Sequence, residues 1–178
     1  MVVGAFAAEW IGRSGRVESL GVLRLALLAQ DDGRLRLEKR EWIGMNEPDV
    51  MRGMLAAKVI AVVGLSEDPR KPSHYVSAYM QKAGYTILPV NPALGDAQVL
   101  GVPSYASLRE LPVRPDVVNV FRLPKSIPSV VEEMLELGLD QMWVQQGIVN
   151  LEAAKKAEAG GIRVVMDRCI MVEHRTQL

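Results

Sequence analysis

A single cysteine, Cys169, stands in 178 residues. That scarcity excludes an internal disulfide framework and fits a reducing cytosol. No apolar run approaches the roughly 18 residues that a membrane span requires. The apolar first residues, 1–8, have no basic flank before Arg13, so a secretory signal is not expected. The expectation is a cytoplasmic protein that does not enter membranes. Net charge is also missing, since 21 basic side chains balance 21 acidic ones. Such a chain offers no stripe for nucleic acid and no patch for a membrane surface, whereas small anionic ligands fit local basic pockets. One cysteine and two separated histidines, His74 and His174, give no metal-ligand spacing, so no metal site is expected. Internal repeats and low-complexity tracts are absent as well. What remains is a chain 49% hydrophobic, of a length that suits one domain with a core of useful size.

The organising stretch is 58–71. Val59, Ile60, Ala61, Val62 and Val63 form an unbroken, β-branched apolar run that suits a central parallel strand covered on both faces. Gly64 ends it. Residues 65–72 then make a short loop with one hydroxyl, two prolines and two cations, and Ser73 stands where a helix could start. A strand feeding a Gly-Leu-Ser turn and a helix brings free backbone N–H groups and a positive helix end together, which favours a phosphate. The loop lacks the further glycines of the dinucleotide fingerprint, and a plain tight turn is the competing reading.

From Lys58 onward, strand and helix alternate as in a parallel α/β sheet. A helix is expected over 73–83, with Tyr75, Val76, Tyr79, Met80 and Ala83 facing inward, then a strand over 85–90 stopped by Asn91 and Pro92. A short extended piece at 99–102 precedes a small helix around 104–111. Strands at 116–121, 142–145 and 162–166 alternate with helices at 126–137 and 150–159, the last capped by Asn150. The expected fold is a doubly wound, Rossmann-like α/β parallel sheet of about six strands ordered 3-2-1-4-5-6. Residues 45–178 form this domain. Residues 1–44 look unlike it: 17–29 carries leucines at helical spacing, and Leu35 and Leu37 alternate with arginines. This segment is read as an extra arm or a start-site artefact, with Met45 as the alternative start.

In such sheets the ligand lies beyond the carboxyl ends of the strands, where strand order reverses. The rule selects 64–71, Asn91 and Pro92, 121–124, 145–150 and 167–169. An acid that would hold an NAD ribose is missing from the second strand's end, whereas Arg70, Lys71 and Arg122 supply cations for several phosphates and Phe121 could lie against an adenine. A solvated loop and an ordinary core phenylalanine are the plain alternatives.

Gly64-Leu65-Ser66, Pro89-Val90-Asn91-Pro92, Asp116-Val117-Val118-Asn119-Val120-Phe121-Arg122, Trp143-Val144-Gln145-Gln146-Gly147 and Asp167-Arg168-Cys169 fall in order at strand ends. Together they resemble the small stand-alone CoA-binding proteins, a family similar to the nucleotide-binding domain of the succinyl-CoA synthetase alpha subunit. The resemblance covers about 51–174. It implies that Gly64, Leu65 and Ser66 take the phosphates of coenzyme A with help from Arg70 and Lys71. It also implies that Asn91 and Pro92 approach the nucleotide, that Phe121, Arg122 and Pro124 flank adenine and pantetheine, and that Gln146, Gly147 and Ile148 lie nearest the thiol. The synthetase's glycine-rich, lysine-bearing turn after strand two is replaced here by Ala93-Leu94-Gly95-Asp96.

No catalytic residue is assigned. His74, at a helix start, either packs or lines the phosphate pocket as a neutral donor, and His174 is expected to be solvated. Cys169 is either a buried structural thiol or, beside Arg168, a thiol able to form a mixed disulfide with CoA. The leading reading is a non-catalytic protein holding CoA or an acyl-CoA, with a homo-oligomer compatible. The alternatives are an NAD(P)-binding oxidoreductase or redox sensor, and a CoA-responsive regulatory subunit paired with a separate catalytic chain.

Overall fold

Five short, largely apolar strands build one parallel sheet in a computed structural model that describes residues 45–177. The expectations for 1–44 lie outside the described residues. The strands are β1 (Val59–Val63), β2 (Thr86–Val90), β5 (Val117–Val120), β6 (Gln141–Val144) and β7 (Arg163–Val165), in the order β2-β1-β5-β6-β7. Helices α1 (Pro48–Leu55), α2 (Pro72–Lys82), α3 (Ile127–Glu136), α4 (Leu151–Ala159) and α5 (Ile170–Gln177) cover it.

Successive side chains of a strand point to opposite faces, so each strand feeds two cores. Ile60, Val62, Val117, Trp143 and Val165 pack beneath Met54 of α1, Val76 and Met80 of α2, and Ile170 of α5. Ala61, Val63, Val118, Val120, Met142, Val144 and Val164 pack beneath α3 and α4, through Ile127, Val130, Met134, Ala154 and Ala157. Burying such a side chain stabilises by about 1.5–3 kcal/mol, which makes the two-sided sheet the rigid base of the molecule.

The doubly wound order holds, with one difference at its outer edge. Instead of a strand at 99–102, the chain forms an antiparallel hairpin of β3 (Gln98–Val99) and β4 (Val102–Pro103). Leu100 and Gly101 turn it with φ of 57° and 76°, as a two-residue hairpin turn with both central residues left-handed requires. Tyr105 then makes a lone parallel bridge to Val90. Its N–H donates to the Pro89 carbonyl at 3.0 Å, and the Asn91 N–H donates to its carbonyl at 2.8 Å. The hairpin folds the segment on itself, and Pro103 has no N–H to give a ladder, so one residue occupies the place of a strand.

Three further expectations are corrected. The inward face of α2 is Ser73, Val76, Ser77 and Met80, a strict helical stripe containing two serines, whereas Tyr75 is 46% exposed and Ala83 is also exposed. The small helix around 104–111 is only a 3₁₀ turn, Leu108–Glu110. His174 is not solvated: α5 carries it between the rings of Tyr79 and Tyr85, at 5.5 and 5.6 Å, with its Nδ1 2.9 Å from the Tyr79 hydroxyl. The flanking helices α1 and α5 were not anticipated at all.

Candidate functional site at the carboxyl edge of the sheet

The chain leaves β1 for β2 on one side and reaches β5, β6 and β7 on the other, so strand order reverses between β1 and β5. Crevices open at such points. Gly64 sits in this one with φ +89°, and a Cβ there would lie 2.6 Å from the Phe121 carbonyl oxygen and 2.9 Å from Cδ of Arg122. Only glycine fits, because both the backbone angle and the space exclude a side chain. The Gly64 N–H donates to the Val90 carbonyl and the Phe121 N–H to the Val63 carbonyl, each at 2.8 Å, which ties three strand ends into one floor.

The loop beyond is built from short local bonds. Ser73 Oγ, at the start of α2, accepts the Ser66 N–H at 3.1 Å, and Ser66 Oγ accepts the Asp68 N–H at 3.2 Å. His74 Nδ1 donates to the Ser66 carbonyl at 2.9 Å, which fixes the proton on that nitrogen. Asn91 Nδ2 donates to the Leu65 carbonyl at 2.9 Å while its Oδ1 accepts the Ala93 N–H, so Asn91 clamps the first loop to the end of β2. The amides of Leu65, Glu67 and Ser73 meet no acceptor among the described residues. Together with the amino end of α2, they give the crevice a local positive potential.

The cations divide. Arg70 grips Asp68 through Nε and Nη2, both at 3.0 Å. The Arg70 side chain and then its amide hold the Asp68 carboxyl below its usual range, and the carboxylate in turn raises Arg70. Arg122 is different. Its stem lies over Gly64, and its guanidinium has no acidic or carbonyl partner among the described residues. Lys71, the residue before α2, is exposed and likewise makes no ion pair among them.

Phe121 is half-buried against the α2 face, and Pro124 is exposed, its carbonyl accepting from Asn150 Nδ2 at 2.9 Å. Asn150 also caps α4 as expected, its Oδ1 accepting the Ala153 N–H at 2.9 Å. Pro92 is exposed in the 3₁₀ turn Pro92–Leu94, and Cys169 is half-buried at the entrance to α5. Beside it, Trp143 Nε1 donates to the Arg168 carbonyl at 2.8 Å, and the Arg168 guanidinium lies 3.8 Å from Glu173.

Beneath this edge lies a pair that the sequence reading did not single out. Gln145 Nε2 donates to Asn119 Oδ1 at 2.7 Å, with the two residues 3% and 1% exposed. The bond clasps β5 to β6 directly under the turn that carries Gln146 and Gly147. Further out, Gly147 (φ +81°) donates its N–H to Asp167 Oδ1 at 2.6 Å, and Asp167 itself is left-handed at φ 57°. A cavity of 620 Å³ opens here, lined by Asn46, Glu47, Gln146, Met166, Asp167 and Arg168. Asn46 Oδ1 accepts the Met166 N–H at 3.0 Å, anchoring the segment before α1 to the end of β7. Asn46, 120 residues from Met166, had no local signal that could have found it.

All the expected residues thus lie at the carboxyl ends of the strands or in the connections that follow them, in two groups: one around β1, β2 and β5, the other around β6 and β7. A family model for the CoA binding domain matches residues 58–175. The chain belongs to the CoA binding domain family. It is similar to YneT of Bacillus subtilis (strain 168), 49% identical over 118 residues, which cover 66% of this chain and 86% of that protein. A protein of Thermus thermophilus has a solved structure similar to this one, with a TM-score of 0.70 and 40% identity over 73% of this chain and 98% of its own. More distant is the ADP-forming acetate–CoA ligase I of Archaeoglobus fulgidus, 24% identical over 130 residues. Those residues are 67% of this chain and only 19% of the ligase, so the domain matches one part of a much longer enzyme. Among the described residues, no helix is long and apolar enough to cross a membrane.

Proposed function

We propose that this CoA binding domain holds coenzyme A, free or acylated, along the carboxyl edge of its sheet, without itself catalysing a reaction. The observation that carries the reading is the corner at Gly64, where the amino end of α2, backbone amides and an Arg122 guanidinium without partners among the described residues lie close to a glycine packed directly against the Phe121 carbonyl. A pyrophosphate matches that corner by charge and by hydrogen-bonding capacity. The adenosine then lies toward β2, past Asn91 and Pro92, as nucleotides do in doubly wound sheets, and the pantetheine arm runs the other way across β5 and β6. Strands stand about 4.8 Å apart, so the path from β1 to β7 is roughly 14 Å. The arm is about as long as four extended residues, also roughly 14 Å.

The absence of chemistry is part of the proposal. His74 is committed to the Ser66 carbonyl and His174 packs with Tyr79 and Tyr85, so neither stands ready as a base beside a nucleophile in the crevice. The related ligase places its activity in a chain of which this domain would be a small part. Calorimetric titration with CoA, adenosine 3′,5′-bisphosphate, NAD and NADP tests the reading. Binding of CoA, with the nucleotide half weaker and the nicotinamide cofactors weakest, is expected. Tight NADP binding without CoA binding overturns it.

A further inference from the structure

The cavity at the ends of β6 and β7 lies where the proposed path of the pantetheine arm ends, and its lining is polar. From this geometry we infer that the domain receives an acyl thioester whose short acyl group carries a hydroxyl, rather than an alkyl or a carboxyalkyl group. The inference rests on the proposed placement of CoA and adds the identity of its cargo.

The volume, 620 Å³, exceeds what a thiol alone would fill. An alkyl group would displace water from the polar atoms of Asn46, Gln146 and Asp167 without replacing its hydrogen bonds, which is costly. Asn46 uses only its Oδ1, for the Met166 N–H, so its Nδ2 remains a donor. Asp167 uses Oδ1 for the Gly147 N–H, so its Oδ2 remains an acceptor. Gln146 is exposed and offers both. A hydroxyl also gives and accepts, and it matches this mixed set. A carboxylate matches it poorly. The lining carries Glu47 and Asp167 against Arg168 alone, and Arg168 already faces Glu173 at 3.8 Å.

Three thioesters of equal carbon count separate these cases: 3-hydroxybutyryl-CoA, butyryl-CoA and succinyl-CoA, titrated into the full chain beside free CoA. The hydroxyacyl form is expected to bind about fivefold to tenfold more tightly than the butyryl form, the discrimination of one hydrogen bond. Succinyl-CoA is expected to be the weakest of the three. Gln146→Leu should bring the ratio of hydroxybutyryl to butyryl affinity toward one, and Glu47→Leu should narrow the disadvantage of succinyl-CoA. Equal or tighter binding of butyryl-CoA, or succinyl-CoA binding tightest, overturns the inference while leaving the CoA reading intact. Failure of all four, free CoA included, is instead the failure of that reading.

Discussion

The two ends of the carboxyl edge are built by different means. At β1 and β5 the floor is made of backbone, a glycine without room for a Cβ and strand ends tied by main-chain bonds, and Ser66, Ser73, His74 and Asn91 only brace the loop above it. At β6 and β7 it is made of side chains: Asn119 with Gln145, Asp167 with Gly147, Asn46 with Met166. Backbone donors bind any phosphate and tolerate no substitution at the glycine. Side-chain clasps can be exchanged one at a time, and so can tune what the far end accepts. A domain that carries one constant polyanion and a variable cargo would divide its edge in this way.

The division can be broken most sharply at Gly64. Gly64→Ala should destabilise the fold by about 3 kcal/mol or more, since the left-handed angle alone costs about 1–2 kcal/mol and the Cβ also meets the Phe121 carbonyl. Urea unfolding measures it, and a loss under 1 kcal/mol would deny that the corner is sterically closed. Asn119→Ala comes next, at about 1–3 kcal/mol, because Gln145 Nε2 then lies buried without its acceptor. Its effect should appear in unfolding, with CoA affinity read on the folded fraction.

Arg122→Ala tests binding instead of folding. It should weaken CoA by about 1.5–3 kcal/mol in calorimetry with little change in stability, as the loss of a charge-assisted contact. Arg70→Ala should weaken CoA less, because Arg70 is shared with Asp68. Equal losses would erase the distinction between engaged and unengaged cations. The smallest effect is a control remote from both ends. Glu158 is exposed, and partial desolvation at the end of α4 raises its carboxyl only somewhat above the usual range, so the folded state holds that proton a little more tightly than the unfolded chain does. Its contribution to stability is therefore present at low pH and falls as pH rises through the folded value. Glu158→Gln should slightly stabilise the protein near neutrality and flatten that slope, which unfolding at several pH values would reveal.

The parallel sheet was legible because runs such as Val59 to Val63 and Val117 to Val120 are β-branched and buried on both faces. The crevice followed from topology, since the strand ends are fixed once the strand order is known. Other features were hidden for physical reasons. Ser73 and Ser77 complete the stripe of α2, but an inward face judged by hydrophobicity passes over serine and selects Tyr75. Asn119 sits inside an apolar run and reads as a strand residue until Gln145, 26 positions later, is seen beside it. Helix α5 begins with Ile170 buried but has no continuous apolar face, and its further contacts include His174 between two tyrosines, which has no local pattern.

The lone bridge at Tyr105 bears on self-association. An open outer strand invites a neighbouring molecule to add its own and so to template aggregates. Here Tyr105 satisfies the Pro89 carbonyl and the Asn91 amide on one flank of the sheet, and Asn46 satisfies the Met166 amide on the other. At those points the two flanks offer no free main-chain group to a strand from a second molecule.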